Sequence, residues 1–173
     1  MRPDATHQPV LLEAIKHTSK PILEIGAGDS STRQIHEAVT NHVVTIDDHL
    51  EWLTRYYDLK NSRHEFKFIG TNWKVFFDTD NTDWGVVLID ASTWEQRKYA
   101  INKYVNADFV VIHDANWMFD VELPKEKLSM LYKYWIEYSC PEQPSPTTVI
   151  CSNTMWNFKI SAFINASEMN KYF

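Results

Sequence analysis

The chain has 173 residues, which suits one domain, and 44% of them are hydrophobic, enough for a sizeable core. The net charge of −6 argues against nucleic acid as the main partner, because phosphate binding usually needs a concentrated basic face. No apolar run approaches the roughly 20 residues of a membrane helix, and no signal peptide opens the chain. We therefore expect a cytoplasmic protein with no membrane contact, in which Cys140 and Cys151 are reduced.

Apolar runs alternate with helical patterns along the chain, which is typical of a parallel α/β sheet. The opening helix has Pro9 in its first turn, and the helix after the first strand is capped by Ser30 or Ser31. Strands are predicted at residues 21–25, 42–46, 65–69, 84–89 and 109–112, with helices between them. The segment 70–83 is ambiguous, because an apolar start is followed by asparagine and aspartate.

The remainder of the chain predicts one more helix and a hairpin. Pro124 opens the helix, whose inner face reaches Trp135. Three prolines, at positions 141, 144 and 146, then interrupt the chain. Residues 147–151 and 156–163 are predicted to form an antiparallel hairpin at the edge of the sheet, which gives seven strands in total.

Two of the four glycines, Gly26 and Gly28, lie in the turn between the first strand and its helix. Glycine lets a backbone turn tightly and approach a ligand without a Cβ in the way. The third position of a dinucleotide-binding pattern is Ser31 instead of glycine, so a pyrophosphate ligand is disfavoured. In an open α/β sheet such a turn lies at the carboxyl ends of the strands, where ligands bind.

Asp47 lies 21 residues after Gly26, at the end of the second strand. A carboxylate in that place can accept both hydrogen bonds from a ribose diol. The alternative is that Asp47 or its neighbour Asp48 only caps the helix that follows, and capping is the favoured role for Asp48.

Residues 22–30, Ile-Leu-Glu-Ile-Gly-Ala-Gly-Asp-Ser, resemble the first motif of class I SAM-dependent methyltransferases, where SAM is S-adenosylmethionine. Residues 44–47 with Glu51 and Trp52 resemble the second motif, and residues 87–90 and 109–114 resemble the ends of the fourth and fifth strands. The resemblance implies one Rossmann-like three-layer sandwich over residues 1–173, with a mostly parallel seven-stranded sheet. Residues 1–20 would form an N-terminal helix and lid, and residues 21–163 the core sheet.

The resemblance also implies roles for individual residues. Glu24 would orient the loop and face the amino group of SAM, and Asp47 would hold the ribose. For adenine, Asp78 is the nearest match to the acid of the family, and Trp73 is an aromatic candidate. The full set of predicted cofactor-binding residues is Glu24, Gly26, Ala27, Gly28, Ser30, Asp47, Asp48 and Asp90.

Asp90 and His113 directly follow the predicted strands at residues 84–89 and 109–112. These strands are expected to be neighbours in the centre of the sheet, so both side chains could face one pocket. His113 is the best candidate for a base, since imidazole titrates near neutral pH. His7 and Gln8 could reach the pocket from the opening helix, although we expect them at the surface. Arg97 could bind an anionic acceptor or simply be a solvated helix residue.

No metal is expected, but Asp90, Asp114 and Asn116 are candidate Mg²⁺ ligands because oxygen ligands suit that ion. The arrangement is similar to that of catechol-type O-methyltransferases, except that Ala115 stands where that family usually has asparagine.

The sequence as a whole predicts a SAM-dependent methyltransferase acting on a small-molecule acceptor, with an oxygen favoured as the methylated atom. A second subunit could complete the acceptor pocket, so a homo-oligomer is an open alternative. One rival is a SAM- or nucleotide-binding module without catalysis that serves a larger assembly. Another is an NAD-dependent oxidoreductase, which would usually have glycine at Ser31 and a second domain.

Overall fold

The computed structural model describes residues 5–117, 123–141 and 143–154 of the chain. Its strands are β1 (Ile22–Ile25), β2 (Val43–Asp47), β3 (His64–Phe68), β4 (Val86–Ile89), β5 (Phe109–Ile112), β6 (Tyr134–Cys140) and β7 (Gln143–Ser152). Its helices are α1 (Gln8–Ile15), α2 (Thr32–Ala38), α3 (Leu50–Thr54), α4 (Trp73–Thr79), α5 (Trp94–Lys103) and α6 (Lys125–Leu131). Single 3₁₀ turns occur at Tyr57–Leu59 and Gly70–Asn72.

The seven strands form one sheet in the order β3-β2-β1-β4-β5-β7-β6. The first five strands run parallel, whereas β7 is antiparallel to both β5 and β6. The chain winds outward from β1 towards β3 and then from β4 in the other direction, so the order reverses between β1 and β4. Ligands of doubly wound sheets bind at such a reversal.

Alternating side chains of the parallel strands bury two separate apolar layers. On one face, Leu23 and Ile25 of β1 pack in a cluster that includes residues of α5 and α6. On the other face, Ile22 packs in a cluster with residues of α1 and α2. The predicted three-layer α/β architecture is therefore confirmed, and the predicted order that makes β4 and β5 neighbours is also confirmed.

The prediction for the C-terminal part was wrong in two respects. The helix opened by Pro124 ends at Leu131, and Trp135 lies in a strand, paired with Cys151. The hairpin is formed by β6 and β7, not by residues 147–151 and 156–163, of which 156–163 lie outside the described residues. Residues 134–140 are rich in aromatic residues, which favour strands. They form a strand because they pair with β7, which in turn pairs with the edge strand of the parallel part, β5.

The ambiguous segment 70–83 contains a 3₁₀ turn and α4, which buries Phe77 against the sheet. Within the described parts of the chain, none of the helices combines the length and apolar character that a membrane crossing requires.

Candidate functional site

A cavity of about 290 Å³ opens at the carboxyl ends of β1, β2 and β4, where the strand order reverses. Its volume is at the small end of the range for small-molecule sites. The residues that line it are His7, Gly26, Ala27, Gly28, Asp29, Ser30, Ser31, Asp47, His49, Trp52, Asp90 and Ser92. Six of these were predicted cofactor contacts in the loop and at the strand ends: Gly26, Ala27, Gly28, Ser30, Asp47 and Asp90.

The glycine loop follows β1 directly and passes close to the end of β4. Gly26 has a positive φ of 96°, and a Cβ there would lie 2.3 Å from the backbone oxygen of Asp90. At Gly28 a Cβ would be 3.4 Å from its nearest neighbour, the Oγ of Ser31. Gly26 is therefore required by the packing of the backbone, whereas Gly28 keeps the cavity wall free of a side chain.

Asp47 joins the loop to the end of β2. Its Oδ2 accepts a hydrogen bond from the backbone N–H of Ala27 at 2.8 Å, and its Oδ1 accepts one from His49 at 2.7 Å. Burial raises the pKa of the carboxyl, against the two backbone donors. Asp47 thus lies in the cavity wall with its orientation fixed, because both oxygens are held by the backbone.

Glu24 lies beneath the loop and does not line the cavity. Its side chain is fully buried and accepts hydrogen bonds from the hydroxyls of Ser31, Thr32 and Thr45, those from Thr32 and Thr45 at 3.1 and 2.7 Å. Burial raises the pKa of Glu24 and the hydroxyl donors lower it, with a net value of about 7. The position favours the first of its two predicted roles, the orientation of the loop.

Beyond Glu24, a line of polar side chains crosses β2 and β3 towards α2. The hydroxyl of Thr45 lies 2.8 Å from Nε2 of His64, whose Nδ1 lies 3.0 Å from Nδ1 of His36. Burial, together with the neighbouring His36 and Arg63, lowers the pKa of His64 to about 3. His64 is therefore neutral in the folded chain.

The ends of β4 and β5 meet beside the cavity. Nδ1 of His113 lies 3.3 Å from Oδ1 of Asp90, and its Nε2 lies 3.2 Å from the hydroxyl of Thr6. Burial disfavours charge on His113, but the hydrogen bond to Asp90 and the charges of Asp90 and Asp114 together outweigh it and raise the pKa. Burial likewise opposes charge on Asp90, whose pKa is nevertheless lowered by His113 and Arg97. His113 is buried behind the wall of the cavity, whereas Asp90 is in the wall.

The N-terminal segment covers this corner of the cavity. The ring of His7 meets that of His113 edge-on, with centroids 4.5 Å apart, and His7 lines the cavity. The amide of Gln8 donates a hydrogen bond to the backbone oxygen of Ser30 at 2.7 Å, which attaches α1 to the loop. The expectation that His7 is at the surface was wrong, because the side chain is buried.

Arg97 is buried and connects the strand ends. Its guanidinium donates to the backbone oxygens of Ala91 and His113 at 2.6 and 2.7 Å, and to Oδ1 of Asp90 at 2.8 Å. It is only 7% exposed, so it is not a solvated helix residue.

The capping role favoured for Asp48 was also wrong. His49 is the N-cap of α3, and this N-cap has no capping hydrogen bond from a side chain. The carboxylate of Asp48 instead accepts hydrogen bonds from Ser92 and from Gln96, the latter at 2.9 Å. Asp48 thus connects the end of β2 to the start of α5.

The two adenine candidates lie away from the described cavity wall. Asp78 is exposed on α4 and accepts a hydrogen bond from the hydroxyl of Tyr99. The ring of Trp73 packs edge-on against Phe77 and Tyr99.

The three candidate Mg²⁺ ligands do not share the cavity wall. Asp90 lines the cavity, whereas Asp114, with φ of 55°, has a carboxylate oxygen 3.4 Å from Arg97. The side chain of Asn116 accepts a hydrogen bond from the backbone N–H of Thr147 at 3.0 Å and so supports β7.

Besides His7, the predicted cofactor-binding set omitted five residues of the cavity wall: Asp29, Ser31, His49, Trp52 and Ser92. Trp52 lies five residues after Asp47, in the first helical turn beyond β2, and Ser92 lies two residues after Asp90. Their places just beyond strand ends are the signal that could have identified them.

No family model matches the sequence, and the comparison with curated proteins gives no match either. Three solved structures of similar fold are distant in sequence. An rRNA methylase from Streptococcus thermophilus aligns with a TM-score of 0.58 at 14% identity, over 90% of this chain and 98% of its own. The N-methyltransferase NodS from Bradyrhizobium japonicum, in complex with S-adenosyl-L-homocysteine (SAH), aligns with 0.55 at 11% identity, over 84% and 83%. The 23S rRNA methyltransferase ErmE aligns with 0.53 at 9% identity, over 95% and 73%.

The likeness shows that this chain has the Rossmann-like fold of SAM-dependent methyltransferases, as the resemblance in the sequence implied. Because the names of these proteins include rRNA and N-methyl transfer, the fold does not indicate an acceptor.

Proposed function

We propose that the chain binds SAM in the cavity at the ends of β1, β2 and β4 and transfers its methyl group to a small-molecule acceptor. The observation that carries the proposal is the joint position of the Gly26–Ser31 loop and Asp47 in one wall at the strand reversal. The same fold holds SAH in the NodS structure. The net charge of −6 favours a small acceptor over a nucleic acid.

The residues of the cavity wall fit the parts of SAM. Gly28 presents only backbone, so the ligand can approach the loop closely. Asp47 uses one lone pair of each oxygen for the backbone, and each carboxylate oxygen can accept a further bond from a ribose hydroxyl. Trp52 offers an aromatic face to the adenine, since one third of its surface is exposed beside the cavity.

Methyl transfer from SAM forms a bond between the acceptor atom and the methyl carbon while the carbon–sulfur bond breaks and its electron pair stays on sulfur. The protein mainly has to hold the acceptor in line. An oxygen acceptor also loses a proton, for which a neighbouring base helps. Because Asp90 and His7 lie in the wall, we propose that they meet the acceptor, which supports an oxygen as the methylated atom.

His113 was the base expected from the sequence. Its two ring nitrogens lie within hydrogen-bond distance of Asp90 and Thr6, behind the wall. We therefore propose that His113 positions Asp90 and that the imidazole of His7 is the group that takes up the proton. An imidazole can do so near neutral pH.

Calorimetry with SAM, SAH and NAD tests the proposal directly. Binding of SAM and SAH but not NAD is expected, and the absence of binding by either adenosyl ligand at millimolar concentration would overturn it. Asp47→Ala should weaken SAM binding by roughly 1.5–3 kcal/mol, the usual value of hydrogen bonds to a charged group. Asp78→Ala, which removes an exposed carboxylate on α4, is the matched control and should leave the affinity unchanged.

The acceptor can then be sought by measuring SAH formation with panels of small hydroxyl, amine and carboxylate compounds and with rRNA. Turnover confined to the hydroxyl compounds would support O-methylation. Turnover with rRNA alone would refute the small-molecule assignment while leaving SAM binding intact.

A further inference from the structure

Three side chains able to ligate a metal meet where the N-terminal segment crosses the ends of β4 and β5. One ligand atom each from His7, Asp90 and His113 lies within 4.8 Å of the other two. We propose that these three residues form a binding site for a divalent first-row transition ion such as Zn²⁺ or Fe²⁺. The proposal does not depend on methyl transfer, because it concerns only these side chains.

The types of ligand select the class of ion. Two imidazoles and one carboxylate suit Zn²⁺ or Fe²⁺, whereas Mg²⁺ prefers oxygen ligands alone. The site therefore differs from the oxygen-only set of Asp90, Asp114 and Asn116 that the sequence indicated, both in its ligands and in its ion.

The spacing of the atoms is close to that of a bound site. Zinc lies about 2.0–2.2 Å from its nitrogen and oxygen ligands, so two ligand atoms on one ion are at most roughly 4.4 Å apart. Nδ1 of His113 and Oδ1 of Asp90, 3.3 Å apart, already satisfy this limit. The ligand atom of His7 lies within 4.8 Å of the other two, which exceeds this limit by at most about 0.4 Å.

The surroundings of the three ligands are also those of a metal site. A ligating histidine usually forms a hydrogen bond through its other ring nitrogen, which fixes the ring. In His113 that nitrogen is Nε2, 3.2 Å from the hydroxyl of Thr6. Arg97 donates to the same Oδ1 of Asp90 that faces His113, so Arg97 orients the carboxylate and this oxygen keeps a lone pair for the ion.

The charges nearby favour a cation. With neutral imidazoles, the carboxylates of Asp90 and Asp114 exceed the single guanidinium of Arg97 by one negative charge. His7 and Asp90 also line the cavity, so an ion held by three protein ligands keeps a coordination position that faces it. With the ion bound, His7 is a ligand and no longer takes up the proton; an acceptor hydroxyl at the open position would instead lose its proton to solvent, because the ion lowers its pKa.

Zinc binding by the tag-free full chain, stripped of metal and measured without SAM against a chromophoric chelator, tests the site. One Zn²⁺ per chain is expected. His7→Ala and His113→Ala should each weaken binding by more than about 100-fold, beyond the effect of losing a supporting residue. The matched control is His17→Ala, which removes an imidazole at the end of α1 and should leave binding unchanged.

X-ray absorption of the zinc-loaded chain keeps the test decisive if a variant fails to fold. Two imidazole ligands and additional oxygen ligands are expected. No retained Zn²⁺, full-strength binding by folded His7→Ala, or a spectrum with sulfur or only oxygen ligands would overturn the proposal. SAM calorimetry on the metal-free chain is a separate measurement, so failure of the metal site and failure of the proposed methyl transfer are distinguishable.

Discussion

The carboxyl group of Glu24 lies beneath the Gly26–Ser31 loop and is completely buried. Its pKa is raised from 4.5 to about 7, so the folded chain binds more protons than the unfolded chain between these values. Glu24 therefore contributes all of its stabilisation to the unfolding free energy at low pH. This contribution decreases as the pH rises from about 4.5 through 7. The loss is about 3 kcal/mol.

We predict that Glu24→Gln removes this pH dependence, because the amide does not titrate. The difference in unfolding free energy between variant and wild type, measured by urea denaturation, should shift by about 3 kcal/mol in favour of the variant between pH 4.5 and 8. A difference that is constant over this range would show that Glu24 titrates normally.

The direction of each hydrogen bond beyond Glu24 follows from the chemistry of the groups. Above pH 7 Glu24 is a carboxylate and only accepts, so Thr45 donates its one hydroxyl proton to Glu24 and the oxygen of Thr45 accepts from His64. His64 must then carry its proton on Nε2, and its Nδ1 accepts from Nδ1 of His36. Arg63 donates to the remaining nitrogen of His36 at 3.3 Å, so every member of the line has a partner.

We predict that ¹⁵N NMR finds the proton of His64 on Nε2 at pH 8, where Glu24 is ionised, and finds His64 still neutral at pH 5. Burial is the main cause that lowers its pKa from 6.5 to about 3. The stability that depends on neutral His64 is present above pH 6.5 and is lost as the pH falls towards 3, by roughly 4 kcal/mol. A proton on Nδ1, or a titration midpoint near 6.5, would be contrary to the buried line of bonds.

At the scale of elements, the two glycines of the loop after β1 have different tasks. Gly26→Ala should destabilise the fold by roughly 2–4 kcal/mol, because its φ is positive and the new Cβ overlaps the backbone at Asp90. Gly28→Ala is the matched control and should change the unfolding free energy by less than about 1 kcal/mol.

SAM affinity provides the second readout for this pair. Gly28→Ala should keep the melting temperature yet weaken SAM binding, since its methyl group enters the cavity wall. Equal destabilisation by the two substitutions would mean that the loop adapts and does not hold β1 against β4.

Arg97 connects the ends of β4 and β5 from within α5. Arg97→Met leaves two buried backbone oxygens and the Asp90 carboxylate without their donor, so we predict a loss of about 3–5 kcal/mol in unfolding free energy. Arg33→Met, on α2, removes an exposed ion pair with Asp58 and should cost less than about 1 kcal/mol. Thermal and urea denaturation of both variants gives the comparison, and similar losses would contradict the buried role of Arg97.

The sequence predicted elements well where a local pattern decides the structure. The apolar runs of β1, β4 and β5 are buried on both faces, so composition alone indicates them. The residues around Trp135 satisfy a helical period as well as a strand pattern, and only the distant partner β7 decides between the two. His7 was misplaced for the same reason, because its burial depends on contact with His113, more than 100 residues away.

At the scale of the whole molecule, the ligand cavity lies at the junction of the two buried layers. The loop after β1 belongs to one strand, but Gln8 of the N-terminal segment and the backbone at Asp90 contact it from either side. A ligand there would contact the loop after β1 together with segments that are distant from it in sequence. Ligand binding should therefore stabilise the entire domain and not only the loop.

We predict that SAM or SAH at 100 times its dissociation constant adds about 2.7 kcal/mol to the unfolding free energy. For a chain of this size the melting temperature should rise by roughly 5–10 °C in a single transition. NAD at the same concentration is the control and should leave the transition in place. Because Asp47→Ala removes the proposed ribose contacts, it should reduce the shift produced by SAM. An equal shift in that variant would locate the ligand elsewhere on the molecule.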